Sequence, residues 1–317
     1  AVQSRRQAGS AFKPFVYATA LAQGLPPTML LDDGPLSLPG GDGMPWTPEN
    51  SDGTWSGPVT MRAALVRSIN IPSIRLALVA GLDSVVATAQ RLGLTTPIPL
   101  VAATAIGAAD VRPIELVAAY GVFATLGTYV PPRIVTLVQR SSGLPVYEAP
   151  AVQPAPVLDP RVAFQMVEMM RDVVQSGTGT AARRGLPAAL PVAGKTGTTN
   201  DNADVWFVGF TPDVVAGVWM GFDRPRTIAP LAFGGTLSAP IWGAFAASVY
   251  AVRPIPPTWQ PPPGLVALRV RRSDGSHAPQ DTTDTTYTEY FLGGTEPAGR
   301  GAAERLLRRL RFGLFGW

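Results

Sequence analysis

The chain has 317 residues, 46% hydrophobic and 15% charged, with a net charge of +4; that is the balance of a globular protein with a sizeable core, not of a disordered chain. It has no cysteine and a single histidine, His277, placed in the polar loop "RRSDGSHAPQ". Disulfides, thiol catalysis and Cys/His zinc sites are thereby excluded, a Ser-His-Asp mechanism has no well-placed base, and the small basic excess near the C-terminus makes nucleic acid an unsuitable partner.

The chain opens "AVQSRRQAGS" without Met, as expected for a cut inside a longer protein, and no apolar run reaches the ~18 residues needed to span a bilayer. Helical spacing covers 10–24, with Pro14 in the first turn. Residues 31–58 are crowded with Gly, Pro, Asp and Trp and read as a long surface loop. "VTMRAALVRS" resumes a helix that stops near "INIPS", and further helices are predicted at 73–81, 83–92 and 113–126. "DPRVAFQMVEMMRDVVQSG" carries Asp159 as N-cap, Pro160 at the first position and Gly177 as stop. "SGTGTAARRG" reads as a connection between two helices, with Arg183 and Arg184 in solvent.

The period then changes. "PVAGKTGT", "ADVWFVGF" and "VVAGVWMGF" are β-type runs split by turn residues, hence an antiparallel meander, followed by the apolar helix "APIWGAFAASVYAV". The Pro-rich stretch 253–264 is a stiff extended connector. "LVALRVRR" and "YTEYFL" fit a pair of short strands within 265–298. The basic tail 299–317 (Arg305, Arg308, Arg309, Arg311, Phe312, Phe315, Trp317) reads first as a frayed end, with contact to an anionic membrane surface as the alternative. The fold class is mixed α/β: an antiparallel sheet flanked by helices, with an all-helical subdomain.

Three polar islands carry chemistry. Of 26 basic residues only two are lysines, Lys13 and Lys195; arginine cannot release its proton at ordinary pH, so these two sites are where an amine's titration is of use. Ser10 and Lys13, at i and i+3, share one helix face near a helix start, making Lys13 a candidate base for Ser10. An ordinary lysine is too weakly dissociated for that near neutrality, and lowering its pKa by about three units costs roughly 4 kcal/mol. Burial plus a second ammonium, Lys195, supplies such a shift. Ser68 and Asn70 point the same way in an extended turn and fit a proton shuttle and an amide clamp; the same residues also fit a plain helix-ending turn. In "GKTGTTND", Lys195, Thr196 and Thr198 on a strand can receive a carboxylate, while Gly197 lets another backbone approach. A phosphate loop is excluded there because the upstream glycine is absent and a strand follows.

Ser-x-x-Lys, Ser-x-Asn and Lys-Thr-Gly, in that order, resemble the motifs of the penicillin-recognising serine acyltransferases. The stretches "RQAGSAFKPFVYATAL", "WTPENSDGTWSGPVTMRAAL", "PIELVAAYGVFATLG" and "AGKTGTTNDNADVWFVGFTPD" look like the transpeptidase domain of class A, bifunctional penicillin-binding proteins. The likeness runs from about Arg6 to Val252, so residues 1–252 would form the transpeptidase domain; Ala8 stands where the family usually has proline. "TEYFLGGTEP" resembles the segment that often ends these proteins. The resemblance implies that Ser10 attacks the penultimate D-alanine carbonyl of a peptidoglycan stem peptide, with Lys13 taking its proton. Ser68 would relay a proton to the leaving D-alanine, and Asn70 would contact Lys13 and the substrate amide. Lys195, Thr196, Gly197 and Thr198 would bind the substrate, and the backbone N–H groups of Ser10 and Thr198 would form the oxyanion hole. β-Lactams would acylate the same serine. No cofactor or metal is implied.

The family fold normally draws a helix and two strands from residues before the nucleophile, so these are expected to be missing here, along with a membrane anchor and a glycosyltransferase domain. The place of action would be the extracytoplasmic, periplasmic face of the inner membrane. The alternatives are a D-Ala-D-Ala carboxypeptidase and a β-lactam-sensing or cell-wall binding domain. A class A β-lactamase is disfavoured, because its Glu-x-x-Leu-Asn pattern does not occur.

Overall fold

A computed structural model describes residues 2–40, 43–278 and 283–297. Gly9–Phe12 winds as a 3-10 turn and passes directly into α1 (Lys13–Ala22), with Pro14 in its first turn. The predicted single helix thus begins with a tighter turn, entered through Gly9 at φ +52°. All residues of α1 from Lys13 to Leu21 are buried. A helix apolar on every side belongs at the centre of a core, and α1 occupies that place.

Residues 31–58 are more ordered than a surface loop. Two strands, β1 (Leu30–Asp33) and β2 (Gly57–Thr60), pair antiparallel, and Leu38–Pro39 pairs with Pro45–Trp46. Burial alternates along β1, but Leu30 is exposed and Asp33 buried, so the run "LLDD" shows no alternation of hydropathy.

The Thr60 hydroxyl accepts from Ala63 N–H and opens α2 (Met61–Val66). Then come α3 (Asn70–Ala80), α4 (Leu82–Arg91) and α5 (Pro113–Ala124). Pro72 does not end a helix but lies in the first turn of α3, where its missing N–H costs nothing. A further exposed hairpin, Leu137–Gln139 with Pro145–Glu148, has no counterpart in the predicted elements. Helix α6 (Pro160–Ser176) has the predicted cap, with Asp159 Oδ1 accepting from Arg161 N–H at 2.8 Å.

"SGTGTAARRG" leads from α6 into a strand, not into another helix, through a 3-10 turn at Thr180–Arg183. Arg184 is exposed, but Arg183 donates to the carbonyls of Ala188 and Leu190, which tie this turn to the segment before the sheet.

The predicted meander is β3 (Ala193–Thr198), β4 (Asp204–Phe210) and β5 (Val215–Gly221), antiparallel in the order β3-β4-β5. Every β4 residue is buried. Alternation along β4 sends Phe210 to one face, edge-on to Tyr120 of α5, and Phe207 to the other, edge-on to Trp242 of α7 (Ser238–Tyr250). The sheet is therefore covered on both sides. Among the described residues the far edge of β5 has no partner strand.

The connector 253–264 has no regular element, yet it is anchored. Trp259 is buried, donates from Nε1 to Ala124 O at 2.8 Å and stands edge-on to Phe210 at 5.7 Å. Beyond it β6 (Leu265–Arg271) and β7 (Thr286–Leu292) form the expected pair. His277 is exposed in their connection. The tail 299–317 and Ala298 lie outside the described residues.

If the connector is held by Trp259, Trp259→Ala lowers stability by about 3 kcal/mol, the usual cost of truncating a buried aromatic. Urea unfolding with an unchanged m-value checks this.

Candidate active site

Ser10 is the second residue of the 3-10 turn, half-buried, and lines a cleft of about 390 Å³ together with Trp46, Asn70 and Thr198. The turn is pressed against β3. A Cβ on Gly9 would lie 2.5 Å from Thr198 O, and one on Gly197 would lie 2.6 Å from Ala8 O. The close backbone approach expected at Gly197 is thus met by the residues just before the serine.

Ser68 owes its position to the way α2 ends. Ser68 N–H donates to Leu65 O at 3.1 Å and Ile69 N–H to Ala64 O at 2.9 Å, the pair of bonds of a Schellman motif. That motif needs a left-handed residue, normally glycine; here it is Ser68, at φ +60°. The turn directs both the carbonyl and the hydroxyl of Ser68 at the lysines, while Ile69 is buried. Asn70 follows as the first residue of α3. Its N–H and that of Ile71 donate to Asn50 Oδ1 at 3.0 and 3.1 Å, so Asn50 caps the helix from a distant loop.

Lys13 and Lys195 have no exposed surface. Lys13 Nζ donates to Ser68 O at 2.6 Å, Asn70 Oδ1 at 2.8 Å and Ile69 O at 3.1 Å. The Ser10 hydroxyl is not among its partners, so the direct contact expected from the i, i+3 spacing is not made. Three oxygens within 3.1 Å, and Ser68 Oγ at 3.5 Å, compete for its N–H bonds. Lys195 Nζ donates to Ser68 Oγ at 2.8 Å and to Thr196 Oγ1 at 3.2 Å. The two amines therefore converge on Ser68 from distant parts of the sequence.

Burial, and after it the charge of Lys195, hold the Lys13 pKa well below the usual lysine value. Burial lowers that of Lys195 to about 7. Two ammonium groups beside one hydroxyl repel each other, so the pair carries one charge more readily than two.

Two further residues were not singled out by the sequence pattern. Thr178 shares a 2.6 Å hydrogen bond with Thr196, hydroxyl to hydroxyl, and its N–H donates to Val66 O at 3.3 Å; the glycine-rich stretch around it was the available signal. Gly234 N–H donates to Thr198 Oγ1 at 3.1 Å. Chemically, the arrangement offers a hydroxyl in an open cleft, an amine that readily gives up its proton, and a cation with hydroxyls beside it.

Both lysines bind protons less tightly folded than unfolded. Between about pH 7, where folded Lys195 titrates, and pH 10 the unfolded chain holds protons that the folded one has lost, so stability rises with pH. Below pH 7 the penalty from Lys195 is fully present. Lys195→Met removes one group's share of this rise, at most ~1.4 kcal/mol per pH unit for each lysine. Chemical unfolding of both proteins from pH 6 to 10 measures it.

Comparison with known proteins shows the family. The family described as penicillin binding protein transpeptidase domain matches residues 1–245. Penicillin-binding protein 1A of Neisseria cinerea is 42% identical over 252 residues, 76% of this chain and 31% of that protein. The one from Rickettsia bellii is 32% identical over 300 residues, 87% of this chain and 37% of that protein. The chain thus spans about a third of the length of these relatives. The crystal structure of penicillin-binding protein 1A from Haemophilus influenzae superposes with a TM-score of 0.85 at 27% identity, covering 94% of this chain and 50% of that one. The PonA1 protein of Mycobacterium tuberculosis, solved in complex with penicillin V, gives a TM-score of 0.70 at 26% identity, over 87% of this chain and 75% of that one. Fold, motif order and extended sequence identity agree, and the chain belongs to the penicillin-binding protein transpeptidase family.

Proposed function

We propose that the chain is a serine D,D-transpeptidase that crosslinks peptidoglycan stem peptides and is acylated by β-lactams. The observation that carries this is the convergence of two buried amines on Ser68 beside the cleft that holds Ser10. Neutral Lys13 has two N–H bonds and a lone pair, so losing its proton releases one of its three oxygen partners and leaves a base for the Ser10 hydroxyl. Ser10 Oγ attacks the penultimate D-alanine carbonyl and its proton passes to Lys13. The N–H groups of Ser10 and Thr198 hold the resulting oxyanion. As the C–N bond to the terminal D-alanine breaks, the Ser68 hydroxyl gives its proton to the leaving nitrogen and recovers one from Lys195, 2.8 Å away. Lys195, Thr196 and Thr198 receive the terminal carboxylate, with Thr178 orienting Thr196. The amine of a second stem peptide then attacks the ester carbonyl, its proton passing through Ser68 to Lys195, and Lys13 returns its proton to Ser10 as the C–O bond breaks.

The same reading sets the chain in a longer, membrane-anchored protein with a glycosyltransferase domain, acting on the periplasmic face in cell wall biogenesis. Its catalytic domain is taken as residues 1–252. The crystallised penicillin V complex of PonA1 supports the β-lactam part.

Intact-protein mass spectrometry after incubation with a penicillin tests the proposal. The expected result is a long-lived adduct on Ser10 that disappears in Ser10→Ala and forms at least ~100-fold more slowly in Lys13→Met, as for loss of a general base. No adduct in the wild type would leave a binding module as the reading. Rapid loss of the adduct would mean a hydrolase, and an adduct without crosslinking of donor and acceptor stems would mean a sensor or carboxypeptidase.

A further inference from the structure

The C-terminal hairpin, which lies beyond the family match, holds a carboxylate with no exposed surface, that of Glu289 on β7. Its partner is Arg62 of α2, also buried, in a two-pronged contact: Nε to Oε2 and Nη2 to Oε1, both 2.6 Å. The remaining guanidinium nitrogen, Nη1, turns to α6, reaching Asp172 Oδ2 at 2.9 Å and Glu168 O at 3.1 Å. The Tyr287 ring lies 5.3 Å from the guanidinium. The hairpin is in turn fixed to α6, where Gln165 Nε2 donates to Tyr290 O at 2.8 Å and Phe164 stands edge-on to Tyr290. One guanidinium therefore joins three elements, and two of them lead into the site. Helix α2 runs straight into the turn that carries Ser68, and α6 ends just before Thr178, the partner of Thr196.

At six residues α2 is too short to hold its place by its own hydrogen bonds. A buried carboxylate, by contrast, cannot drift from its cation without being left uncompensated. We propose that the C-terminal hairpin is a positioning arm of the catalytic site: Glu289 fixes Arg62, and with it α2, so that Ser68 meets both lysines. Arg62 and Glu289 touch no substrate; they act through Ser68. The inference rests on the transpeptidase reading for its kinetic consequence and on geometry alone for its structural one.

The test uses the full chain and two variants. Glu289→Gln keeps the side chain's shape and removes its charge. Arg62→Met with Glu289→Leu replaces the pair by apolar groups of similar size, a change that often restores stability. Thermal unfolding, the rate constant and pH profile of acylation by a fluorescent penicillin, and amide exchange over 64–70 are read for each. A displaced Ser68 slows acylation ~10-fold to ~100-fold, shifts its pH profile and speeds exchange over 64–70. In the apolar pair these effects persist although the melting temperature recovers. The proposal is overturned if acylation returns to the wild-type rate together with the melting temperature, or if Glu289→Gln acylates normally with an unshifted profile. Should the wild type form no adduct, the transpeptidase reading fails, and exchange over 64–70 still decides the positioning role: faster in Glu289→Gln upholds it, unchanged overturns it.

Discussion

Two fully buried amines meeting at one half-buried hydroxyl are the constraint on which the rest of this structure depends. Lys13 and Lys195 have no exposed surface, and both reach Ser68. Inside a protein their mutual repulsion is felt strongly, so the fold has to hold them together against it. The means are visible: a helix buried from Lys13 to Leu21, a strand under Lys195, and a capped helix pair between them. An arginine at either position would keep its charge at any ordinary pH, which explains why a chain otherwise basic through arginine uses lysine here.

The contact between the turn at Ser10 and β3 comes from missing side chains. Gly9 and Gly197 lie where any Cβ would collide with backbone across the gap. The turn at Ser10 and β3 are thus in main-chain contact, so neither can shift without the other. The reach of Lys13 away from Ser10 and toward Ser68, Ile69 and Asn70 fits a resting state in which the amine is held by carbonyl and amide oxygens.

Much of the site was legible because its chemistry is local in sequence. Lys13 follows Ser10 by three residues, Asn70 follows Ser68 by two, and Lys195 to Thr198 are contiguous. Helix α6 and the meander were legible for the same reason, through caps and alternation over many residues. What escaped depends on partners far along the chain. Asn50 caps α3 from twenty residues upstream, Thr178 meets Thr196 across a glycine-rich bend, and Arg62 finds Glu289 over 227 positions. No spacing rule connects such pairs. The Ser10–Lys13 contact was over-read: helical spacing brings two side chains near, but the competing oxygens on Ser68, Ile69 and Asn70 decide where the amine goes.

The left-handed backbone at Ser68 bears on how the sequence can change over time. Glycine would relax that turn, and asparagine would tolerate it better than serine does. On the proposed relay role of Ser68, selection for a sturdier fold alone would drift away from the hydroxyl, and selection for turnover would hold it. A relative carrying Gly or Asn at this position, with both lysines intact, would mark a lineage that had given up the reaction while keeping the scaffold.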